Sequence, residues 1–203
     1  LTFLRAIPNL VVMSPKDENE LAAMVRTALE HEDGPIAVRY PRGAGLGVKL
    51  DYSPSRLAIG RGELVRRGED IVLIALGSMV DVAERAADVL TAGGTRTSVV
   101  NARFLKPLDE ELILSEIHRA GVAVTLEENV KAGGFGASVL ELVHRAGAEG
   151  ARERVMGLPD AFVTHGSRDR LLADCGLTPD DVVAAARELA AVARGSLKEG
   201  SGA

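Results

Sequence analysis

The second half of the chain alternates continuous apolar runs with segments of helical periodicity. Residues 71–76 have the sequence Ile-Val-Leu-Ile-Ala-Leu, which is typical of a parallel strand covered on both faces. Helical spacing follows over 79–92, an apolar run returns at 97–101, and a helix over 109–120 precedes a strand over 122–126. Strands that alternate with helices of this length predict an α/β fold, in which a mostly parallel sheet is flanked by helices.

The same alternation continues to the carboxyl end. The pattern predicts a helix over 136–146, a short strand over 154–157, and helices over 168–174 and 179–193. Residues 196–203 are small and polar, and we predict a disordered tail there.

The first part of the chain predicts one strand–helix–strand unit. Residues 10–13 are apolar, and Ser14 and Pro15 then provide a capping residue and a first-turn proline for a helix. An extended run over 36–40 follows the helix. Residues 42–68 are rich in Gly, Pro and Ser, which is typical of a connector.

Composition narrows the classes of function. A formal charge of −5 and 3% aromatic residues give no reason to expect a nucleic-acid partner. The single cysteine, Cys175, excludes an internal disulfide framework and a multi-cysteine metal site. Because no apolar run approaches the roughly 20 residues that span a bilayer, we expect no membrane partner and a cytoplasmic location.

Two sites at predicted strand ends are candidates for chemistry. Glu127 and Glu128 follow an apolar strand, where paired carboxylates serve either acid–base work or a turn that caps the next helix and contacts a neighbouring domain. The glycine-rich segment 133–136 opens a helix and either receives an anion or serves close packing; its spacing matches no nucleotide fingerprint and favours packing. His165 stands beside a glycine in a loop, with no recognisable nucleophile context.

The most promising local candidate is the run Arg39-Tyr40-Pro41-Arg42-Gly43. Pro41 stops the preceding strand and Gly43 frees the backbone to turn, so Arg42 projects beyond the strand end. A guanidinium there suits a phosphate, because it stays charged and offers a bidentate fork. The alternative is a structural salt bridge with an acid.

Segments along the whole chain point to one family. They are IPNLVVMSPKDENEL, DGPIAVRYPRG, VNARFLKPLDEELI, VTLEENVKAGGFGASV and GLPDAFVTHGS. In this order they resemble the carboxyl-terminal part of the 1-deoxy-D-xylulose 5-phosphate synthase family, from residue 1 to about 194. The later segments are also similar to the carboxyl-terminal domains of transketolases and of 2-oxo acid dehydrogenase β chains; the pairing of SPKDENEL with AVRYPRG favours the synthase.

The resemblance implies a division of the chain. Residues 1–45 would be the end of a pyrimidine-binding domain, and residues 46–68 a linker. Residues 69–195 would form a complete transketolase C-terminal-type domain, before the tail at 196–203.

The resemblance also implies a function. Enzymes of this family are homodimeric transferases that condense pyruvate with D-glyceraldehyde 3-phosphate, with loss of CO2, using thiamine diphosphate and Mg²⁺; the product feeds isoprenoid, thiamine and pyridoxal synthesis. Arg42 matches the arginine that binds the acceptor phosphate, and Arg39, Tyr40, Glu127, Glu128 and His165 are candidates for supporting that site.

The family's Gly-Asp-Gly cofactor segment and its catalytic residues have no match here, so we expect them before Leu1. We therefore predict that these 203 residues alone bind no cofactor or metal and are inactive. One alternative is a separate non-catalytic module that binds a partner subunit or a phosphorylated regulator. Another is the end of a transketolase or of a 2-oxo acid dehydrogenase β chain.

Overall fold

Helices and strands alternate along most of the chain. The computed structural model describes residues 1–148 and 150–200, with side chains up to residue 193. The helices are α1 (Thr2–Ala6), α2 (Glu18–Leu29), α3 (Met79–Ala92), α4 (Glu110–Ala120), α5 (Phe135–Arg145), α6 (Arg168–Asp174) and α7 (Pro179–Gly200). The strands are β1 (Val11–Met13), β2 (Ile36–Val38), β3 (Glu63–Arg66), β4 (Ile71–Ala75), β5 (Thr97–Asn101), β6 (Phe104–Lys106), β7 (Val122–Val130) and β8 (Arg152–Leu158).

The larger sheet has five strands in the order β3-β5-β4-β7-β8. Its pairs are parallel, except that β3 lies antiparallel to β5 at one edge. Every residue of β4 is buried, and its side chains alternate between the two faces. Leu73 packs with α3 and α7, whereas Ile74 packs with α4 and α5. The predicted α/β fold, with helices on both faces of a mostly parallel sheet, is confirmed.

The smaller sheet has three strands in the order β2-β1-β6. β1 lies parallel to β2 and antiparallel to β6, a strand that comes from the chain beyond β5. β1 is covered on both faces, because Val12 packs into the core beneath the larger sheet while Met13 packs against Met24 and Phe104. The two sheets therefore have no strand in common, but β1 contributes to the hydrophobic core of the larger sheet.

A charged cluster joins the two sheets beside this core. Glu20, only 5% exposed, accepts hydrogen bonds from Asn101 Nδ2 at 2.8 Å and from Arg103 Nε at 2.7 Å. Glu63 pairs with Lys16 at 2.7 Å and with Arg103 at 3.1 Å. We call these five residues the charged cluster; each of its two carboxylate groups has a cationic or amide partner.

The start of α2 differs from the prediction. Asp17, not Ser14, caps the helix, because its carboxylate accepts the amide of Glu20 at 2.8 Å. The amide of Ser14 still donates to the carbonyl of Arg103 at 2.9 Å, so the chain remains extended there. Ser14 is buried instead, and its hydroxyl has no hydrogen-bond partner among the described residues.

Several boundaries also differ. β3 lies inside the predicted linker, and α1 and β6 were not predicted; β3 and β6 are short and form only by pairing with strands distant in sequence. β7 continues past Leu126 to Val130, because β8 extends alongside it. α7 continues beyond residue 193 to Gly200, into the segment predicted as a disordered tail over 196–203; residues 201–203 lie outside the described part.

Candidate functional site

A cleft of about 920 Å³ opens between the loop after β2 and the start of α3. Residues 40–46 form one wall, and Ser78, which precedes α3, lies on the other with residues from α6 and the start of α7. β2 and β4 both end at this cleft. It therefore lies at the carboxyl ends of parallel strands, where α/β folds commonly bind ligands.

Basic side chains in the cleft differ in whether an acid neutralises them. Three are paired: Lys16 with Glu63 at 2.7 Å, Arg85 with Asp81 at 3.8 Å, and Arg168 with Glu128 at 2.7 Å. Arg42 is exposed, and among the described residues it makes no hydrogen bond or ion pair. A fork of N–H donors without an internal partner is available to an anion.

Arg39 makes the structural contact that was the alternative for Arg42. Its Nη2 donates to the main-chain carbonyl of Glu128 at 2.9 Å, and its Nη1 lies 4.0 Å from the Glu128 carboxylate. The side chain therefore reaches from the end of β2 to β7 in the larger sheet. Two arginines in one short run thus have different roles, one internal and one facing the cleft.

The Glu128 carboxylate is itself held from several sides. Arg168 donates from Nε at 3.0 Å and from Nη2 at 2.7 Å, and Ser78 Oγ donates at 2.8 Å. Burial alone raises the pKa of Glu128, but the hydrogen bonds from Arg168 and Ser78 outweigh it and leave the pKa below its ordinary value. Glu128 therefore remains ionised and fixed, which suits an anchor and not a general acid.

Glu127 faces away from the cleft and caps a helix. Its carboxylate accepts the amides of Phe135 at 2.7 Å and Gly136 at 2.8 Å, at the N-terminus of α5. Burial raises its pKa, which these amide hydrogen bonds partly oppose. A Cβ at Gly134 or Gly136 would collide with neighbouring side chains. The packing role of the glycine-rich segment is therefore confirmed, and its amides are satisfied by an internal carboxylate.

Glu18 holds the far side of the loop, a role that the sequence did not reveal. Its Oε1 accepts the amide of Gly47 at 2.6 Å. Main-chain amides, first that of Gly47 and also those of Leu46 and Val48, lower its pKa. A Cβ at Gly45 would collide with this carboxylate, so the absent side chain lets the loop close around Glu18. The signal was present in the SPKDENEL segment, where the acid looked only like part of a helix start.

The remaining candidates lie apart. Tyr40 lines the cleft and is 60% exposed, whereas His165 is exposed in the loop between β8 and α6 and does not line it. Arg168, which no motif indicated, lines the cleft and holds Glu128. Within the described residues, no group of three or more His, Cys, Asp and Glu is arranged to hold a metal ion, and no helix is long and apolar enough to cross a membrane.

Two family models match this chain, one over its first part and one over its second. The family model described as "Transketolase, C-terminal domain" matches residues 60–182, and the model described as "Transketolase, pyrimidine binding domain" matches residues 1–46. A solved structure titled "Split gene transketolase, inactive beta4 tetramer" superposes with a TM-score of 0.83 at 35% sequence identity. It covers 94% of this chain, which in turn covers 61% of that one.

Curated relatives are more similar in sequence. The 1-deoxy-D-xylulose-5-phosphate synthases of Heliobacterium modesticaldum and Desulforudis audaxviator are 56% and 55% identical over 94% and 90% of this chain. A synthase of Geobacter sulfurreducens is 48% identical over 91% of the chain. The chain spans only 29%, 28% and 29% of these three proteins. Because the C-terminal family model covers more than half of its residues, the chain belongs to the transketolase C-terminal domain family.

Proposed function

We propose that this chain is the carboxyl-terminal part of a 1-deoxy-D-xylulose-5-phosphate synthase and that Arg42 binds the phosphate of its aldehyde substrate. The observation that carries the proposal is the pairing pattern in the cleft, where Arg42 is the basic side chain without a partner among the described residues. The synthase relatives at 48% identity or above support the choice of reaction.

In the reaction proposed for the complete enzyme, pyruvate loses CO2 and the carbonyl carbon of the remaining two-carbon unit bonds to the aldehyde carbon of D-glyceraldehyde 3-phosphate. The guanidinium of Arg42 would grip the phosphate at the other end of this acceptor. Binding energy from this remote group orients the aldehyde without touching the bond that forms.

We propose that the thiamine diphosphate site lies in parts of the complete enzyme outside these residues. The amides that begin α5 are occupied by Glu127, and no group of acids and histidines in the described part is arranged for Mg²⁺. Thiamine diphosphate and Mg²⁺ therefore belong to the proposal for the complete enzyme, and we assign no residue of this chain to them. The chain alone is expected to be inactive, and the complete enzyme is expected to be a cytoplasmic homodimer.

Steady-state kinetics on the complete enzyme test the role of Arg42. Replacing Arg42 with Met should raise the KM for D-glyceraldehyde 3-phosphate roughly ten- to hundredfold, the range expected for a lost charge-assisted hydrogen bond. The KM for pyruvate should stay unchanged, and Arg42→Lys should recover part of the loss because it keeps the charge. An unchanged acceptor KM in Arg42→Met would overturn the assignment.

A transketolase is the second candidate, because the solved structure that superposes on this chain is titled a split gene transketolase. The donor substrate separates the two functions. The synthase should consume pyruvate and form one CO2 per product, whereas a transketolase should transfer a two-carbon unit from a ketose phosphate without forming CO2. Product formation from a ketose phosphate donor and an aldehyde acceptor, with no response to pyruvate, would favour the transketolase.

A further inference from the structure

The loop that carries Arg42 is fastened at both ends while Arg42 itself is left free. Upstream, Arg39 donates to the carbonyl of Glu128 at 2.9 Å, a contact across 89 positions of the sequence. Downstream, Glu18 accepts the amide of Gly47 at 2.6 Å. Between these contacts the structure leaves the guanidinium of Arg42 without an internal partner among the described residues.

The upstream contact is built for rigidity. The side chains of Arg39 and Glu128 are 29% and 15% exposed, so both are largely removed from solvent. The Glu128 carboxylate is fixed by Arg168 and Ser78, which prevents the strand around its carbonyl from shifting freely. A partly buried, fully hydrogen-bonded arrangement of this kind holds a single geometry.

The downstream contact is supported by the residue next to Glu18. Asn19 Nδ2 donates to the carbonyl of Lys49 at 2.9 Å, and Asn19 Oδ1 accepts the amide of Asp51 at 2.8 Å. Both Glu18 and Asn19 lie in the first turn of α2. The start of this helix thus fixes the loop from its far side.

We propose that Arg39 is a positioning residue that fixes Arg42 by fastening the loop to Glu128 of the larger sheet, with Glu18 fastening the opposite end. The larger sheet would then contribute to acceptor binding without touching the substrate. This inference rests on the proposed phosphate-binding role of Arg42. A binding group works best when its rotational freedom is removed before the ligand arrives.

A double-mutant cycle on the complete enzyme separates positioning from general stability. Arg39→Met should raise the KM for D-glyceraldehyde 3-phosphate by roughly tenfold, with the KM for pyruvate unchanged. In the Arg42→Met background the same replacement should change the acceptor KM less than about twofold, because the group that it positions is already absent. Arg39→Lys should recover part of the loss, since one donor still reaches the Glu128 carbonyl.

The matched control is Arg66→Met. Arg66 is also a strand-end arginine paired with a carboxylate, Asp88, and its side chain is 36% exposed. It lies on β3 and does not line the cleft, so both KM values should remain as in the wild type. Equal acceptor KM factors for Arg39→Met in the presence and absence of Arg42 would overturn the proposal, as would an equal rise in the pyruvate KM.

Hydrogen exchange of the complete enzyme supplies a readout that does not depend on the reaction. The main-chain amides of residues 39 and 47, which donate to the Met13 carbonyl and to Glu18, should exchange several-fold faster in Arg39→Met and in Glu18→Ala than in the wild type, and Arg66→Met should leave them unchanged. If the wild-type enzyme makes no 1-deoxy-D-xylulose 5-phosphate, the proposed function fails while exchange still decides the positioning. If Arg39→Met does not fold, Glu18→Ala takes its place in the cycle. Unchanged exchange in a folded variant overturns the proposal.

Discussion

β4, at the centre of the larger sheet, is buried along its whole length, whereas the smaller sheet is fastened to the larger one partly through charged side chains. In the larger sheet each β4 side chain meets helices on one face or the other. The smaller sheet leaves every residue of β2 half-exposed and takes β6 from the chain beyond β5. The comparison teaches that apolar burial carries the stability of one region, while specific polar contacts set the geometry of the other.

The largest effect should come from the centre of the larger sheet. Leu73 is fully buried, so Leu73→Ala should lower the free energy of unfolding by about 4 kcal/mol through lost burial and a cavity. Urea denaturation of the complete protein, monitored with a probe in this region, measures the change in the free energy of unfolding. Leu29→Ala is the control, because Leu29 is 82% exposed and should cost less than about 1 kcal/mol. Equal costs at both positions would break the comparison.

The next effect should come from the charged cluster. Glu20→Ala removes the acceptor of Asn101 and Arg103 and leaves a half-buried guanidinium with fewer partners, which should cost about 3 kcal/mol. The same urea titration provides the measurement. Glu30→Ala, at the exposed end of α2, should cost less than about 0.5 kcal/mol. A cost for Glu20→Ala as small as that of Glu30→Ala would show that the cluster does not join the two sheets energetically.

The contributions of Glu127 and Glu128 to folding stability should depend on pH in opposite directions. Glu127 caps α5, whereas Glu128 contacts Arg39 at the end of the smaller sheet. The folded pKa of Glu127 is raised above 4.5, so its contribution to stability falls as the pH rises from 4.5 to the folded value. The folded pKa of Glu128 is lowered below 4.5, so its contribution is present above 4.5 and is lost as the pH falls through the folded value.

Unfolding titrations at a series of pH values measure these slopes, each of which is at most about 1.4 kcal/mol per pH unit for one proton. Glu127→Gln should flatten the profile above pH 4.5, and Glu128→Gln should flatten it below. Identical changes in the two variants would contradict the assigned environments.

The smallest effect should come from an exposed ion pair that lies neither in the larger sheet nor in the charged cluster. Arg170 and Asp174 form an exposed i,i+4 pair on α6. Asp174→Asn should change the free energy of unfolding by only a few tenths of a kcal/mol, because solvent screens such pairs. Thermal unfolding of the variant beside the wild type checks this, and a loss above about 1 kcal/mol would contradict it.

Much of the larger sheet was predictable from the sequence, whereas the contacts that connect the smaller sheet to it were not. The helix over 79–92 and the strand over 97–101 have the predicted limits, because glycines and the change of periodicity mark them locally. β3 and β6 contain four and three residues and depend on partners elsewhere in the chain. The capping role of Asp17 was assigned to Ser14, since both residues have the chemistry of a cap and only the path of the chain distinguishes them.

The candidate site was also predictable from the sequence only in part. The strand end and the residue types indicated Arg42 as a cation available to phosphate, and its position in the cleft agrees with that. The partners of its neighbours were not predictable. Arg39 and Glu128 are 89 residues apart, Glu128 and Arg168 are 40 apart, and Glu18 and Gly47 are 29 apart. Side chains so distant in sequence meet only in the folded chain.

The sequence by itself determined the α/β class, the central strands and the presence of an arginine suited to phosphate, because periodicity, local breakers and side-chain chemistry act over a few residues. Only the tertiary structure decided which of the two neighbouring arginines is free. Arg39 is hydrogen-bonded to Glu128, whereas Arg42 faces the cleft. The physical reason is that pairing depends on the distance between charged groups in space, and that distance is fixed by how the smaller sheet packs on the larger one.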